Sequence, residues 1–128
     1  MTDRQRASSG SPFEASIGFS RAIKVGDRIL VSGTAPVEPD GSSTPGGAEA
    51  QADRCLRVIV DAVERLGGSV NDIVRTRIFL VDPADAEAVG RAHGKLFGEV
   101  RPASTMVAGA VLLRPDWLVE IEAEAITA

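Results

Sequence analysis

The sequence predicts an α+β domain with its helices packed on one face of a mixed sheet. Three observations carry this. Two stretches, 48–66 and about 83–97, repeat apolar residues at helical spacing, and short β-branched or alternating segments surround them. The predicted order is β-β-α-β-α-β-β, with too few helices to cover both faces of a sheet. The last segment, Trp117–Ile126, alternates so strictly that one of its faces is apolar and the other is all glutamate.

Residues 1–12, rich in Ser, Arg and Gly, read as a loose tail before a single domain over 13–128. Residues 20–36 predict a hairpin: Ala22, Ile23 and Val25 lead to a Gly26-Asp27 turn, and Ile29 and Val31 alternate after it. The Gly- and Pro-rich segment 37–47 is a loop. The first helix presents Ala52, Cys55, Leu56, Ile59, Val63 and Leu66 on one face and ends at Gly67-Gly68, where a left-handed cap is expected. Residues 72–81 are β-branched and read as a strand. Asp82 then caps a second helix with Pro83 at its first position. That helix buries Ala86, Val89, either Ala92 or His93, and either Leu96 or Phe97. Strands at 104–113 and 117–126 are joined by a turn at Arg114-Pro115-Asp116.

Composition narrows the function. With 128 residues the chain is long enough to bury a core without disulfides or metals. The net charge of −4 and an aromatic content of 4% argue against a general nucleic-acid binder, which needs cations for phosphates and rings for bases. One cysteine and one histidine leave no ordinary zinc set, so no metal is expected. No apolar run is long enough to span a bilayer and residues 1–10 have no apolar signal core, so the expectation is a soluble cytoplasmic protein with no membrane partner.

The glutamate row is the sharpest chemical signal. Glu120, Glu122 and Glu124 share a strand face, and such a row repels itself unless cations or water neutralise it. Arg75 and Arg77, alternating with Phe79 on the strand at 72–81, are the natural partners if the two strands adjoin. Either this face is solvated, or it is a polar face buried where copies of the chain meet. Helices on one side only would leave Phe79 and Leu118 wet, and oligomerisation would cover them.

Three segments, Ser32-Gly33-Thr34-Ala35-Pro36, Arg101-Pro102-Ala103-Ser104-Thr105 and Val119-Glu120-Ile121-Glu122-Ala123, resemble the RidA/YjgF family in order and spacing. Gln51 at the start of the first helix and Asp72-Ile73-Val74 at the strand entry extend the likeness from about Gly18 to Ile126. The resemblance implies a chorismate-mutase-like fold and a homotrimer with small-metabolite clefts between subunits. Family members studied as enzymes hydrolyse 2-imino or enamine acids to keto acids and ammonia without cofactor; older labels include translation inhibitor and endoribonuclease. The family's deaminases carry an arginine directly after Pro-Ala to clamp the substrate carboxylate, and here that position is Ser104. A neutral hydroxyl does not replace a bidentate guanidinium. Phe19 stands where Tyr is usual, Thr34 where Gln is common, Gly90 where Asn is common, and Met106 where Cys or a small residue often sits.

Glu120 is the candidate catalytic residue, because imine hydrolysis needs a group that activates water and moves a proton; its other role would be to brace the strand through Arg75 or backbone donors. The candidate binding residues are Phe19, Arg21, Ser32, Gly33, Thr34, Arg101, Ala103, Ser104 and Met106. Ser104 and Thr105 either donate to a ligand or close a local turn. Arg101 or Arg21 could replace the missing clamp. His93 reads as a packed or surface residue rather than a catalyst, and Gly90 and Gly94 beside it as sites of close backbone approach at a subunit contact. Three functions remain open: a trimer with altered or weak hydrolytic chemistry, an active imine or enamine deaminase with a substitute clamp, and a non-enzymatic ligand- or protein-binding module.

Overall fold

The computed structural model describes residues 3–127. Its sheet has six strands in the order β1-β2-β3-β6-β4-β5: β1 (Arg4–Ala7), β2 (Ala22–Val25), β3 (Arg28–Thr34), β4 (Ile73–Leu80), β5 (Ala103–Val107) and β6 (Val119–Ile126). All neighbours run antiparallel except β4 and β5, which are parallel. Helices α1 (Gly47–Arg65) and α2 (Ala86–Phe97) both pack on one face. Between the two layers lie Ile29 and Val31 of β3, Ile78 and Leu80 of β4, and Val119, Ile121, Ala123 and Ala125 of β6. Against them α1 sets Ala52, Cys55, Leu56, Ile59 and Val63, and α2 sets Val89, Ala92 and Phe97. The α+β reading with its mixed sheet holds.

Several local differences have clear causes. The first twelve residues, expected to form a loose tail, instead supply β1, which pairs with β2 from Arg4↔Val25 to Ala7↔Ala22. The pairing is possible because Ala7 is small enough to join the core at the sheet edge. A short π-helical turn, Glu14–Gly18, then leads into β2. In β4, strict alternation would bury Val74, yet Val74 is 41% exposed and Ile73 is buried. A register shift between Ile73 and Arg75 explains this, because an extra residue on one strand reverses the facing of what precedes it. The strand expected at 104–113 stops at Val107, where the pairing with β4 ends opposite Phe79.

Gln51 ties the loops to the helices. Its amide donates to the carbonyls of Thr44 (3.2 Å) and Asp116 (3.0 Å) and accepts from the Leu118 amide (2.8 Å). One buried side chain thus holds both the loop before α1 and the entry to β6. At the end of α1, Gly67 has φ +89°, the left-handed conformation expected of it. Asp82 accepts a hydrogen bond from the Ala84 amide, but it caps a short 3-10 turn (Pro83–Asp85) before α2 rather than α2 itself.

Candidate functional site

The glutamate row faces away from the helices, on the uncovered side of the sheet. β4 and β6 are neighbours, the condition under which the arginines were expected to meet the glutamates, with Arg77 opposite Glu122 and Arg75 opposite Glu124. Arg77 Nη1 lies 3.0 Å from Glu122 and 3.4 Å from Glu124. Arg28 reaches Glu124 from β3 at 3.3 Å. Arg75 makes no ion pair among the described residues, so Arg77 and Arg28 do the neutralising. These pairs are partly exposed and contribute little stability.

Glu120 is different. It sits opposite Phe79, is half-buried, and makes no hydrogen bond or ion pair among the described residues. The bracing through Arg75 that was its alternative role is absent. Burial raises its carboxyl above the ordinary glutamate value; Arg21 opposes this and Glu122 adds to it. Gly33 makes room for it: a Cβ there would lie 2.5 Å from Glu120 Oε2. No other residue type at Gly33 leaves the carboxylate where it is.

Arg21 acts electrostatically on this carboxylate from its bond to the Gly33 carbonyl. The guanidinium is the donor in that bond, and its Cζ stands 5.5 Å from the Phe19 ring centroid. It is 9% exposed, and its Nε finds no partner among the described residues. Burial lowers its pKa, against Glu14 and Glu120, which raise it. Glu14 was not anticipated. Burial pushes its carboxyl up, but hydrogen bonds from Ser9 and Ser8 and the charge of Arg21 hold it below the ordinary value. It lies between the expected tail and the hairpin, in a stretch to which the sequence assigned no element.

The remaining candidates separate into three groups. Ser32 and Thr34 serve the local backbone: Ser32 Oγ donates to the Ser20 carbonyl (2.7 Å), and Thr34 Oγ1 donates to the Ser32 carbonyl (2.8 Å). Thr34 is also fully buried, which takes it away from any open surface. Arg101 is exposed, with a left-handed φ of 53° and its amide on the Phe97 carbonyl. Ala103, Ser104 and Met106 lie on β5, every residue of which is exposed. Ser104 pairs with Thr76, and the two hydroxyl oxygens are 2.8 Å apart. Thr76 Oγ1 also lies 2.9 Å from His93 Nε2. Ser104 therefore bonds across strands, not within its own turn, and it brings in His93, which sequence reading set aside, and Thr76, to which it gave no role. A threonine among the core positions Ile78 and Leu80 was the signal available for this. Gly90 and Gly94 have nothing within 4 Å of an added Cβ, so no backbone of this chain approaches them.

Glu120, Gly33, Arg21 and Phe19 thus form one cluster, and Ser104 and Met106 lie apart from it on the sheet edge. A groove of about 400 Å³ between α1 and α2, lined by Leu56, Val60, Ala92 and Leu96, holds none of the candidates. Among the described residues no group of three or more His, Cys, Asp or Glu stands close enough to hold a metal ion, and no helix is long and apolar enough to cross a membrane.

The family model described as Endoribonuclease L-PSP matches residues 10–127. The chain belongs to the RidA/YjgF family. The crystal structure of a Mycobacterium tuberculosis member of the highly conserved YjgF/YER057c/UK114 family superposes with a TM-score of 0.88 at 39% identity, covering 98% of this chain and 100% of that one. An uncharacterized protein of Streptomyces coelicolor is 37% identical over 94% of this chain and 90% of its own length. A protein named 3-aminoacrylate deaminase RutC, from Acinetobacter baylyi, is 35% identical over 78% of this chain and 79% of its own. The fold is accordingly chorismate-mutase-like, as the resemblance implied.

Proposed function

We propose that this RidA-like chain forms a homotrimer in the cytoplasm and hydrolyses small imines or enamines slowly, in pockets between subunits, without a cofactor. The observation that carries the reading is Glu120. A half-buried carboxylate with a raised pKa, no partner among the described residues, and a glycine cleared in front of it is costly unless it acts on something. Its chemistry suits a water-activating base that then passes the proton to the departing nitrogen. The similarity to a protein named for deaminating 3-aminoacrylate favours the same reaction class.

The weakness of the chemistry follows from Ser104. Two charge-assisted hydrogen bonds to a carboxylate contribute roughly 1.5–3 kcal/mol each, so their absence weakens binding of an acid by orders of magnitude. Substrates without a carboxylate suffer less. The test is turnover of 2-iminobutyrate generated in situ, compared with Ser104→Arg. Slow wild-type turnover that rises at least about tenfold in the arginine variant, and falls about 10²-fold in Glu120→Gln, supports the reading. Family-level wild-type rates that Ser104→Arg does not improve refute it.

A second reading has one observation behind it. The buried Nε of Arg21 has no partner among the described residues, and Arg21 would serve as a substitute clamp if a ligand reached it. Arg21→Lys separates the two: it raises KM for a carboxylate substrate only if the arginine holds it.

A further inference from the structure

Thr76 is fully buried on the core side of β4, where its neighbours in the row are Ile78 and Leu80. A buried hydroxyl there is costly unless it is bonded. Its two partners are His93 on α2 and Ser104 on β5, at 2.9 and 2.8 Å. The three groups form a line from the half-buried imidazole, through the buried hydroxyl, to an exposed one. His93 is held against the Phe97 ring, 4.6 Å between centroids, which fixes its plane. The line can carry its protons in either direction. His93 Nε2 donates to Thr76, which donates to Ser104; or Ser104 donates to Thr76, which donates to Nε2. The second arrangement draws the proton from Ser104 and leaves its lone pairs facing outward.

We propose that Ser104 is a nucleophile activated by His93 through Thr76, and that it takes the acyl group of small activated esters. Ser104 Oγ attacks the carbonyl carbon. Its proton moves to Thr76 Oγ1 as the Thr76 proton moves to Nε2. The bond to the leaving group then breaks; acylated Ser104 no longer relays protons, so the half-buried imidazolium releases its proton to solvent and the leaving group takes one from water. The products are acyl-Ser104 and the protonated leaving group, and water in a second passage releases the acid. A short acyl group suits the place, because Ser104 is exposed on an edge strand and Gly90 and Gly94 leave open space on the helix around His93.

The imidazole is suited to be neutral. Burial lowers its pKa and is the sole cause of the shift. Its charged neighbours on α2, Arg91 and Lys95, are turned to Glu49 of α1, and the groups facing it from β4 and β5 are the two hydroxyls. Thr76 and His93 are positioning and relay residues; only Ser104 touches the acyl group.

The test uses the full chain and p-nitrophenyl acetate, with nitrophenol release followed against pH and the acetylated residue located by peptide mass. We expect one acetyl group on Ser104 and none in Ser104→Ala. The rate rises with pH and levels off, with a midpoint below the ordinary histidine value. His93→Gln and Thr76→Val each slow it about 10²-fold, and Thr76→Ser, which keeps the hydroxyl, stays within a few-fold of wild type. Far-ultraviolet dichroism checks that each variant folds; should Thr76→Val not fold, His93→Gln and Thr76→Ser decide. Acetylation confined to lysines, equal rates in His93→Gln, or a rate that climbs without a plateau overturns the proposal. None of these outcomes depends on imine turnover.

Discussion

Glu120 and Gly33 act as one unit, and their coupling is measurable. Because burial raises the Glu120 carboxyl, the folded chain binds this proton more tightly than the unfolded chain. Its contribution to stability is therefore fully present below the unfolded glutamate value and is lost as pH rises through the higher folded one. At neutral pH the ionised group costs stability. Glu120→Gln removes that cost, so its Tm at pH 7 should exceed that of wild type, and the gain should shrink as pH falls through the folded value, while imine turnover drops about 10²-fold. A lower Tm at pH 7 would contradict the burial argument. Gly33→Ala is expected to behave differently. The clash falls on the far end of a flexible side chain, so the carboxylate moves aside cheaply. Stability should change by under about 1 kcal/mol, yet turnover should fall at least about tenfold. In a Glu120→Ala background, Gly33→Ala should have no further effect on turnover, as a double-mutant cycle would show. The sequence displayed Glu120 through its alternation and Gly33 through its motif. It did not display their contact, because adjacency between β3 and β6 joins residues 87 positions apart and only the folded sheet supplies it.

At the scale of elements, period and punctuation were legible and exact facing was not. The two helices and the alternation of β6 could be read because burial follows a fixed period. The reversal at Val74 could not, since a bulge leaves no mark in local composition. Nor could β1, whose four residues are polar apart from Ala7 and pair through their backbone. The relay from Ser104 to His93 was hidden for a related reason: the parallel β4–β5 pairing that aligns Ser104 with Thr76 bridges an intervening helix. Gln51 illustrates how polar residues inside elements can outweigh apolar ones. Its carboxamide satisfies two carbonyls and one amide that belong to two loops. Gln51→Leu fills the same volume but strands all three. Urea denaturation should show a loss of about 2–4 kcal/mol, more than truncation of a surface helix residue. Val58→Ala, on the same helix but only part-buried and outside this network, should lose less.

The whole chain exposes 7170 Å², above the ~6,500 Å² expected for a compact monomer of 13.4 kDa. The excess has identifiable locations. Val111 and Leu113 are 97% and 88% exposed in the connection after β5, and Leu30 is 40% exposed on the sheet face that no helix covers. β5 presents an open strand edge, and open edges and apolar faces invite pairing with further chains. A closed ring of three copies buries such surfaces without leaving a free end, which fits the proposed trimer. Leu30→Lys tests this with little risk to the fold. Leu30 stands opposite Glu124 in register, so the ammonium gains a carboxylate neighbour within the chain. Between chains the same charge would have to be buried, at a cost of several kcal/mol. Native mass spectrometry should find trimers for wild type and monomers for Leu30→Lys, with unchanged far-ultraviolet dichroism. Imine turnover should disappear with the trimer, because the proposed pockets lie between subunits, whereas acetylation of Ser104 should persist in the monomer. A wild-type chain that is monomeric at micromolar concentration would remove the proposed pockets altogether.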